Sequence, residues 1–175
     1  LGTQIVGSEG VDKRLDVLAT AIHCGMKTEM LKDLDLAYAP PFSSAKDPVN
    51  MAGFMIENIS KGMIKQYHWD EVKNLPRDGS VTLLDTRTSY EYKSGHIDGY
   101  INIPVDDLRD RLNELDRSKT VYVICQSGLR SYIACRILSQ NGFDCYNFSG
   151  GYRFYASVIK EKEMSEYTYP CGMEK

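Results

Sequence analysis

The sequence predicts an α/β protein built on a parallel sheet with helices on both faces. Between residues 65 and 160, short apolar runs alternate with segments in which apolar residues recur at helical spacing. Such alternation is typical of parallel strands joined by crossover helices. The run Val121–Ile124 also leads into a compact polar turn, and a helical pattern starts again at Leu129. Open α/β sheets form their sites at the carboxyl ends of such strands, so we expect a functional loop there.

The composition excludes several kinds of partner. The chain has 175 residues and a net charge of −3, which gives no reason to expect nucleic acid or a membrane surface as a partner. No apolar run approaches the roughly 20 residues that span a membrane. The five cysteines form no C-x-x-C pair, which argues against a disulfide framework and against a zinc site. A reducing, cytoplasmic setting fits these cysteines best, and no metal is expected.

Residues 1–60 form one compositional block with more apolar surface than it can bury. We predict a strand end at Ile5–Val6, a helix over Val11–Met26, and a second helix that begins at Pro48 with Asp47 as its N-cap. The first helix carries apolar stripes on two faces, and both must be covered. The second helix has one apolar stripe, made of Met51, Phe54, Met55 and Ile59. Because the chain also lacks an initiator Met, we expect it to be a fragment of a longer protein. Either the missing part of that protein or a second subunit is expected to cover the apolar surface of residues 1–60.

Strands and helices are expected to alternate in the rest of the chain. Residues 61–66 are interpreted as a linker, residues 67–160 as one domain and residues 161–175 as a charged C-terminal tail. The strands are predicted at Val81–Leu84, Ile101–Ile103, Val121–Cys125 and Cys145–Phe148. The helices are predicted at Thr88–Lys93, from Pro104 to Leu115, from Leu129 onward and over Tyr152–Lys160.

Cys125 is the candidate nucleophile of the loop that follows the central strand. A thiol reacts as its thiolate, and three features near Cys125 favour that anion. The loop precedes a helix N-terminus, Gly128 allows amide groups to turn inward, and Arg130 adds a permanent cation. Ser127 can add a hydroxyl donor. The alternative is a buried cysteine that simply precedes an ordinary turn.

The length of this loop indicates which group it can hold. Four residues separate Cys125 from Arg130, whereas cysteine phosphatases use a C-x-x-x-x-x-R loop that is one residue longer. A shorter loop encloses a smaller volume, so it suits one extra sulfur atom on the cysteine better than a tetrahedral phosphoryl group. Phosphatase or arsenate-reductase chemistry is therefore disfavoured, but it stays an alternative.

Several short motifs taken together resemble the rhodanese homology domain. They are, in order, Asp85-Thr86-Arg87, Glu91-Tyr92, Gly95-His96-Ile97-Asp98-Gly99, Asn102-Ile103-Pro104, Cys125 to Ser131, and Gly150-Gly151. The resemblance implies a rhodanese fold and a persulfide carried by Cys125. The residues implied to bind this persulfide are Gln126, Ser127, Gly128, Leu129 and Arg130. Asp85 and Arg87 are implied to support the pocket, and His96 is expected to shape the fold rather than to act in catalysis.

The chain departs from the rhodanese pattern at two places. Many active rhodaneses carry Arg directly after the cysteine, where this chain has Gln126. Loss of that cation weakens the case for thiosulfate, a dianion, as the sulfur donor. The Trp that usually follows the Gly-Gly turn is also absent, and Tyr152, Phe154 and Tyr155 lie nearby instead.

Residues 1–60 carry a second resemblance, to the C-terminal dimerisation domain of flavin-dependent disulfide reductases. The matching stretches are Arg14 to Ala19 and Tyr38 to Pro48. The closest group is the coenzyme A-disulfide reductases with the related NADH oxidases and persulfide reductases, several of which end in a rhodanese domain. The resemblance implies a homodimer, in which Tyr38 reaches towards the redox site of the other subunit.

The same resemblance implies FAD, NAD(P)H and coenzyme A for the full-length protein. The N-terminal flavin domains are missing from this sequence, which contains no G-x-G-x-x-G motif, so no cofactor is expected within it. The leading hypothesis is a sulfurtransferase-type persulfide carrier within such a reductase, acting on a small-molecule persulfide or a coenzyme A-type thiol. The alternative is a non-catalytic rhodanese module that serves docking or dimerisation.

Overall fold

The computed structural model describes residues 2–41 and 43–167, with side chains as far as residue 162. Phe42 and the tail beyond Tyr167, which includes Cys171, lie outside the described residues. The chain divides into two units, with the boundary between Met63 and Ile64. Each unit has its own core of buried apolar side chains.

The first unit contains two helices, α1 (Val11–His23) and α2 (Pro48–Ser60), and between them a 3-10 helix, Thr28–Asp33. Helix α1 ends before the predicted Met26, because Gly25 adopts a φ of 66° and the N–H of Met26 donates to the carbonyl of Ala21. The predicted strand end at Ile5–Val6 is wrong. Among the described residues no strand pairs with this segment, and Val6 is exposed.

Helix α2 begins as predicted at Pro48, and its N-cap at Asp47 is confirmed. The Asp47 carboxylate accepts a hydrogen bond from the N–H of Val49, and the Asn50 side chain accepts one from the N–H of Asp47.

The face that α2 buries differs from the predicted apolar stripe. Val49, Asn50 and Gly53 are its buried residues, whereas Met51, Met55 and Ile59 are exposed. Asn50 donates from Nδ2 to the carbonyls of Leu31 and Leu34, and an added Cβ at Gly53 would lie 2.4 Å from a backbone nitrogen. Close approach to the 3-10 helix therefore selects the small and polar face of α2, and the apolar stripe stays uncovered within this unit.

The second unit is a parallel sheet with helices, which confirms the predicted fold class. Its five strands lie in the order β1-β5-β4-β2-β3, and every neighbouring pair is parallel. The strands are β1 (Lys65–Tyr67), β2 (Thr82–Asp85), β3 (Ile101–Asn102), β4 (Val121–Ile124) and β5 (Cys145–Phe148). The α-helices are α3 (Ser89–Lys93), α4 (Leu129–Gln140) and α5 (Gly151–Tyr167).

The central strand β4 is buried on both faces of the sheet. Val121 and Val123 belong to the apolar cluster that contains Ala134 and Leu138 of α4. Tyr122 and Ile124 belong to the cluster on the other face, where Phe148, Tyr152 and Tyr155 also pack. Burial on both faces explains why β4 has a continuous apolar sequence instead of an alternating one.

Three elements of the second unit differ from prediction. Lys65–Tyr67 is an edge strand, although residues 61–66 were interpreted as a linker. The predicted helix from Pro104 to Leu115 is wrong: this stretch is a series of turns closed by i to i+3 hydrogen bonds, with a 3-10 helix at Leu112–Glu114. Aspartate has a low helix propensity, which disfavours a helix over this stretch, while the turns still bury Leu108. Helix α5 continues past the predicted end at Lys160.

Candidate active site

Three chain segments meet at the carboxyl edge of the sheet. Cys125 directly follows β4, and Asp85, the last residue of the neighbouring strand β2, is close in sequence to Arg87. The Gly150-Gly151 turn follows β5, which pairs with β4 on its other side. The parallel arrangement therefore brings together the motifs that the sequence places far apart.

The Cys125 sulfur lies in a small cradle at the start of α4. The N–H of Gly128 donates to Sγ at 3.1 Å, and the Ser131 hydroxyl lies 3.2 Å from Sγ. Gly128 is the N-cap of α4 with a φ of 107°, a conformation that side chains rarely adopt. Cys125 is 0% exposed, so a reaction at Sγ requires the groups that cover it to move aside.

Ser131 is a further candidate residue of the site, and the loop motif alone does not indicate its role. Its single hydroxyl proton can turn towards Sγ or towards the carbonyl of Gly128, which lies 3.1 Å away. That carbonyl also accepts from the N–H of Tyr132 at 3.0 Å and from the Asn147 amide at 3.5 Å, so it stays hydrogen-bonded when Ser131 turns to the sulfur. This arrangement lets the cradle supply a second hydrogen-bond donor when the sulfur is anionic.

The hydroxyl expected from Ser127 does not occupy this position. Ser127 is exposed, and in the described part of the chain the hydroxyl within hydrogen-bond distance of Sγ is that of Ser131. The tight turn at Gly128 reverses the chain, so the residue three positions into the helix faces the sulfur. Leu129, on the outside of the same turn, is 64% exposed.

The Arg130 side chain is held by a carboxylate that the sequence analysis did not pair with it. Both of its terminal nitrogens donate to Glu91 of α3, at 2.7 and 2.6 Å. The hydrogen bonds from Arg130 hold the pKa of Glu91 at about 2, so the pair is fully charged at neutral pH. The cation expected beside the sulfur is therefore already neutralised by a partner.

Asp85 and Arg87 form a buried ion pair that fixes the edge of the site. Arg87 is 2% exposed, and its Nη2 donates to the Asp85 carboxylate at 2.7 Å and to the carbonyl of Gly95 at 2.8 Å. The guanidinium also lies over the ring of Tyr152, 4.0 Å from the ring centroid. One arginine thereby joins strand β2, the loop after α3 and the start of α5.

The N-terminus of α5 holds the Cys125 loop through the backbone. The N–H of Tyr152 donates to the carbonyl of Cys125 at 2.8 Å, and the N–H of Arg153 donates to the carbonyl of Gln126 at 3.1 Å. Gly151 has a φ of 69°, and an added Cβ there would lie 2.6 Å from the backbone nitrogen of Ser127. This glycine permits the close approach that both hydrogen bonds need.

A cavity of about 330 Å³ opens beside the loop. Its lining residues are Arg87, Tyr90, Glu91, Ser94, Gly95, Gln126 and Tyr152. The amide oxygen of Gln126 accepts a long hydrogen bond, 3.4 Å, from Nη1 of Arg87. The expected supporting residue Arg87 and the expected loop residue Gln126 thus share one cavity, next to the buried sulfur.

Tyr38 lies in the first unit and is 53% exposed. Its expected role at the redox site of a second subunit stays a prediction. No cluster of three His, Cys, Asp or Glu in the described ranges could hold a metal ion. In the same ranges, no helix combines the length and the apolar character needed to cross a membrane.

The second unit, which contains this site, matches a known domain family. The rhodanese-like domain family matches residues 68–157, just over half of the chain. The chain therefore belongs to the rhodanese-like domain family. The matched residues contain Cys125, its cradle and both ion pairs.

Particular relatives extend this similarity beyond the family domain. The chain is similar to the reduced CoADR-RHD protein of Bacillus anthracis at 46% identity, with a TM-score of 0.83 over 87% of this chain. It is similar to the NAD-dependent persulfide reductase from A. fulgidus at 40% identity, with a TM-score of 0.74 over 85% of this chain. These matches confirm the resemblance to rhodanese-containing reductases that the motifs predicted.

The chain spans only part of its relatives. It covers 27% of the Bacillus anthracis chain and 26% of the A. fulgidus chain. The Bacillus subtilis protein YqhL matches at 40% identity over 82 residues, which are 46% of this chain and 65% of YqhL.

Proposed function

We propose that this chain is a sulfurtransferase-type persulfide carrier that uses Cys125. The observation that supports the proposal most strongly is the cradle at Sγ, where a backbone N–H and a hydroxyl lie within hydrogen-bond distance of one sulfur atom. Such donors stabilise an anionic sulfur, and they can do so for a thiolate and for a persulfide anion. Four residues separate Cys125 from Arg130, one fewer than in the loop of cysteine phosphatases, which favours one added sulfur atom over a phosphoryl group.

The proposed reaction is a two-step relay with balanced chemistry. In the first step the Cys125 thiolate attacks the outer sulfur of a persulfide donor RSSH. The donor S–S bond breaks, RSH leaves with the electron pair and the proton, and Cys125 carries a persulfide anion. In the second step an acceptor thiol attacks the outer sulfur of that persulfide, takes it away as a new persulfide, and regenerates the Cys125 thiolate.

The proposed donor or acceptor is a small-molecule persulfide or a coenzyme A-type thiol. Gln126 supports a donor other than thiosulfate, because a neutral amide stands where a cation would attract a dianion. The solved relatives named for CoADR-RHD and for persulfide reductase support the same substrate class.

We further propose that the chain is the C-terminal part of an FAD- and NAD(P)H-dependent disulfide, persulfide or polysulfide reductase. In this proposal residues 1–60 belong to its dimerisation domain and residues 67–160 to its rhodanese domain. Strand β1 (Lys65–Tyr67) and the part of α5 beyond Lys160 extend the rhodanese domain at its two ends. The extent of the similarity to the two solved reductases supports it. The turn after β4 does not fit a dinucleotide phosphate, because the inward N–H of Gly128 already donates to Sγ.

A homodimer is part of this proposal. The first unit leaves apolar side chains exposed on both of its helices, Leu15 and Ile22 on α1 and Met51, Met55 and Ile59 on α2. A second copy of the protein would bury these side chains, and Tyr38 would then approach the redox site of that copy. A cytoplasmic location is also proposed, since Cys24, Cys125, Cys135 and Cys145 are all free thiols.

One observation favours the alternative of a non-catalytic docking module. Cys125 is fully buried, as an idle structural cysteine would be. A steady-state assay with an alkyl persulfide donor and a thiol acceptor separates the two functions. We expect transfer by the wild type and by Cys24→Ser, which removes an exposed thiol, and none above background by Cys125→Ser. Equal transfer by wild type and Cys125→Ser would favour the docking module.

A further inference from the structure

The charged groups around the cavity form two neutral pairs. Arg87, in the cavity wall, is neutralised by Asp85 at 2.7 Å. Glu91, also in the wall, is neutralised by Arg130 at 2.6 Å. Two arginines near a reactive sulfur suggest a cationic pocket, but the two carboxylates cancel that charge. An anionic donor that enters the cavity therefore meets no net positive charge from these four side chains.

Glu91 is held in place by more than its partner Arg130. It is the third residue of α3, where its Oε2 accepts from the N–H of Thr88 at 2.9 Å and from the Thr88 hydroxyl at 2.8 Å. The Thr88 hydroxyl in turn accepts from the N–H of Glu91, which completes a capping box. The carboxylate is thus fixed by the helix end before it meets Arg130, and it holds that guanidinium at a defined position.

From this geometry we infer that Glu91 determines donor specificity by keeping Arg130 neutralised, which disfavours dianionic sulfur donors such as thiosulfate relative to donors of lower charge. This inference rests on the proposed sulfur transfer to Cys125. It assigns Glu91 as a positioning and specificity residue that acts through Arg130. The pKa of Glu91, held at about 2 by Arg130, agrees with a permanently ionised carboxylate.

Two donors that differ by one charge make the inference measurable. When the Cys125 thiolate attacks thiosulfate, the S–S bond breaks, sulfite leaves as a dianion with the electron pair, and Cys125 carries the persulfide anion. Attack on benzenethiosulfonate, a monoanion, forms the same persulfide and releases benzenesulfinate. The quantity of interest is the ratio of kcat/KM for thiosulfate to kcat/KM for benzenethiosulfonate, each with the same thiol acceptor.

Glu91→Gln is the test variant, because glutamine can keep the capping box while it removes the charge. Gln126→Arg is a second variant, which adds a cation to the same cavity and leaves the sequence of α3 unchanged. Glu114→Gln is the matched control. Glu114 pairs with Arg111 through two hydrogen bonds of 2.6 and 2.7 Å, outside the residues that line the cavity.

We expect the thiosulfate ratio to rise about tenfold in Glu91→Gln and in Gln126→Arg, because one added net charge acts more strongly on the dianion. Glu114→Gln should leave the ratio at the wild-type value. An unchanged ratio in a folded Glu91→Gln, or an equal fall with both donors, would overturn the inference while leaving sulfur transfer intact. If only Gln126→Arg raises the ratio, charge in the cavity affects the choice of donor, but Glu91 does not determine that choice and the inference is wrong. Absence of a Cys125 persulfide with either donor would instead refute the proposed function.

Discussion

The Ser131 hydroxyl lies 3.2 Å from the sulfur of Cys125. Its proton has two acceptors in reach, the Cys125 sulfur and the carbonyl of Gly128. A neutral thiol needs no donor, whereas a thiolate or a persulfide anion gains a hydrogen bond to charge when Ser131 turns. Ser131 therefore belongs to the candidate active site, next to the N–H of Gly128.

Replacement of Ser131 by alanine should slow sulfur transfer. The loss of one hydrogen bond to a charged group is worth about 1.5–3 kcal/mol, which corresponds to a loss in kcat/KM of roughly tenfold or more. Ser157→Ala is a matched control, because the Ser157 hydroxyl donates to the carbonyl of Arg153 on an exposed helix face. The persulfide transfer assay gives both rates, and a Ser131→Ala rate within twofold of the control would show that the hydroxyl has no catalytic part.

The sequence indicated only some of the residues that form the candidate site. The strand, turn and helix around Cys125 are adjacent in sequence, so their pattern indicated the nucleophile and Gly128. The hydroxyl was assigned to Ser127 instead of Ser131, because the sense in which the turn curls is not encoded in residue type. The pairing of Arg130 with Glu91 crosses 39 positions of sequence, and one sequence offers no signal for it.

The N-terminus of helix α5 holds the Cys125 loop through backbone hydrogen bonds. Its first two residues after Gly151 donate to the carbonyls of Cys125 and Gln126, so the helix end and the loop form one rigid unit. The approach depends on the absence of a side chain at Gly151. The sequence showed a Gly-Gly turn, but only the fold reveals that one of its glycines faces the active loop.

A methyl group at position 151 should therefore displace the loop. Gly151→Ala combines a strained positive φ with a Cβ at 2.6 Å from backbone atoms, so we expect a loss of about 2 kcal/mol or more and strongly reduced sulfur transfer. Gly79→Ala is the control, because Gly79 has a φ of 81° but nothing within 4 Å of an added Cβ. Thermal unfolding and the transfer assay report the two effects. Equal behaviour of the two variants would show that the contact with the loop is unimportant.

The Asp85–Arg87 pair ties strand β2 to α5 and should be essential for stability. Arg87→Met leaves the buried Asp85 carboxylate without a cation, and removal of one partner of such a pair costs about 3–5 kcal/mol. Arg111→Met, which breaks the exposed pair with Glu114, should cost no more than about 1 kcal/mol. Urea unfolding followed by the fluorescence of Trp69, the single tryptophan, reports on the second unit. Similar midpoints for the two variants would contradict a structural role for the buried pair.

Across the whole molecule, the sequence pattern predicted the strands that are largely buried and missed the exposed edge strand. Strands β2, β4 and β5 are mostly buried, and each contains adjacent apolar residues, so the sequence pattern located them. Strand β1 reads Lys-Gln-Tyr, and only Tyr67 is buried, so an edge strand looked like a linker. The stretch from Pro104 to Leu115 has helical spacing of leucines, but its aspartates favour turns.

The first unit does not bury all of the apolar residues that the sequence pattern predicts to be buried. Its apolar stripe on α2 stays exposed, and the buried face contains an asparagine and a glycine that bring α2 onto the 3-10 helix. A sequence pattern locates an apolar face but does not say whether the same chain covers it. The uncovered face is the physical basis of the proposed homodimer.

Intact-protein mass spectrometry after incubation with a persulfide donor shows directly whether Cys125 forms the proposed persulfide. The wild type and Cys24→Ser should each gain the mass of one sulfur atom, located by peptide mapping on Cys125. Cys125→Ser should gain none, and addition of an acceptor thiol should remove the sulfur from the wild type. If the wild type gains no sulfur, or if Cys125→Ser gains as much as the wild type, Cys125 is not the persulfide carrier.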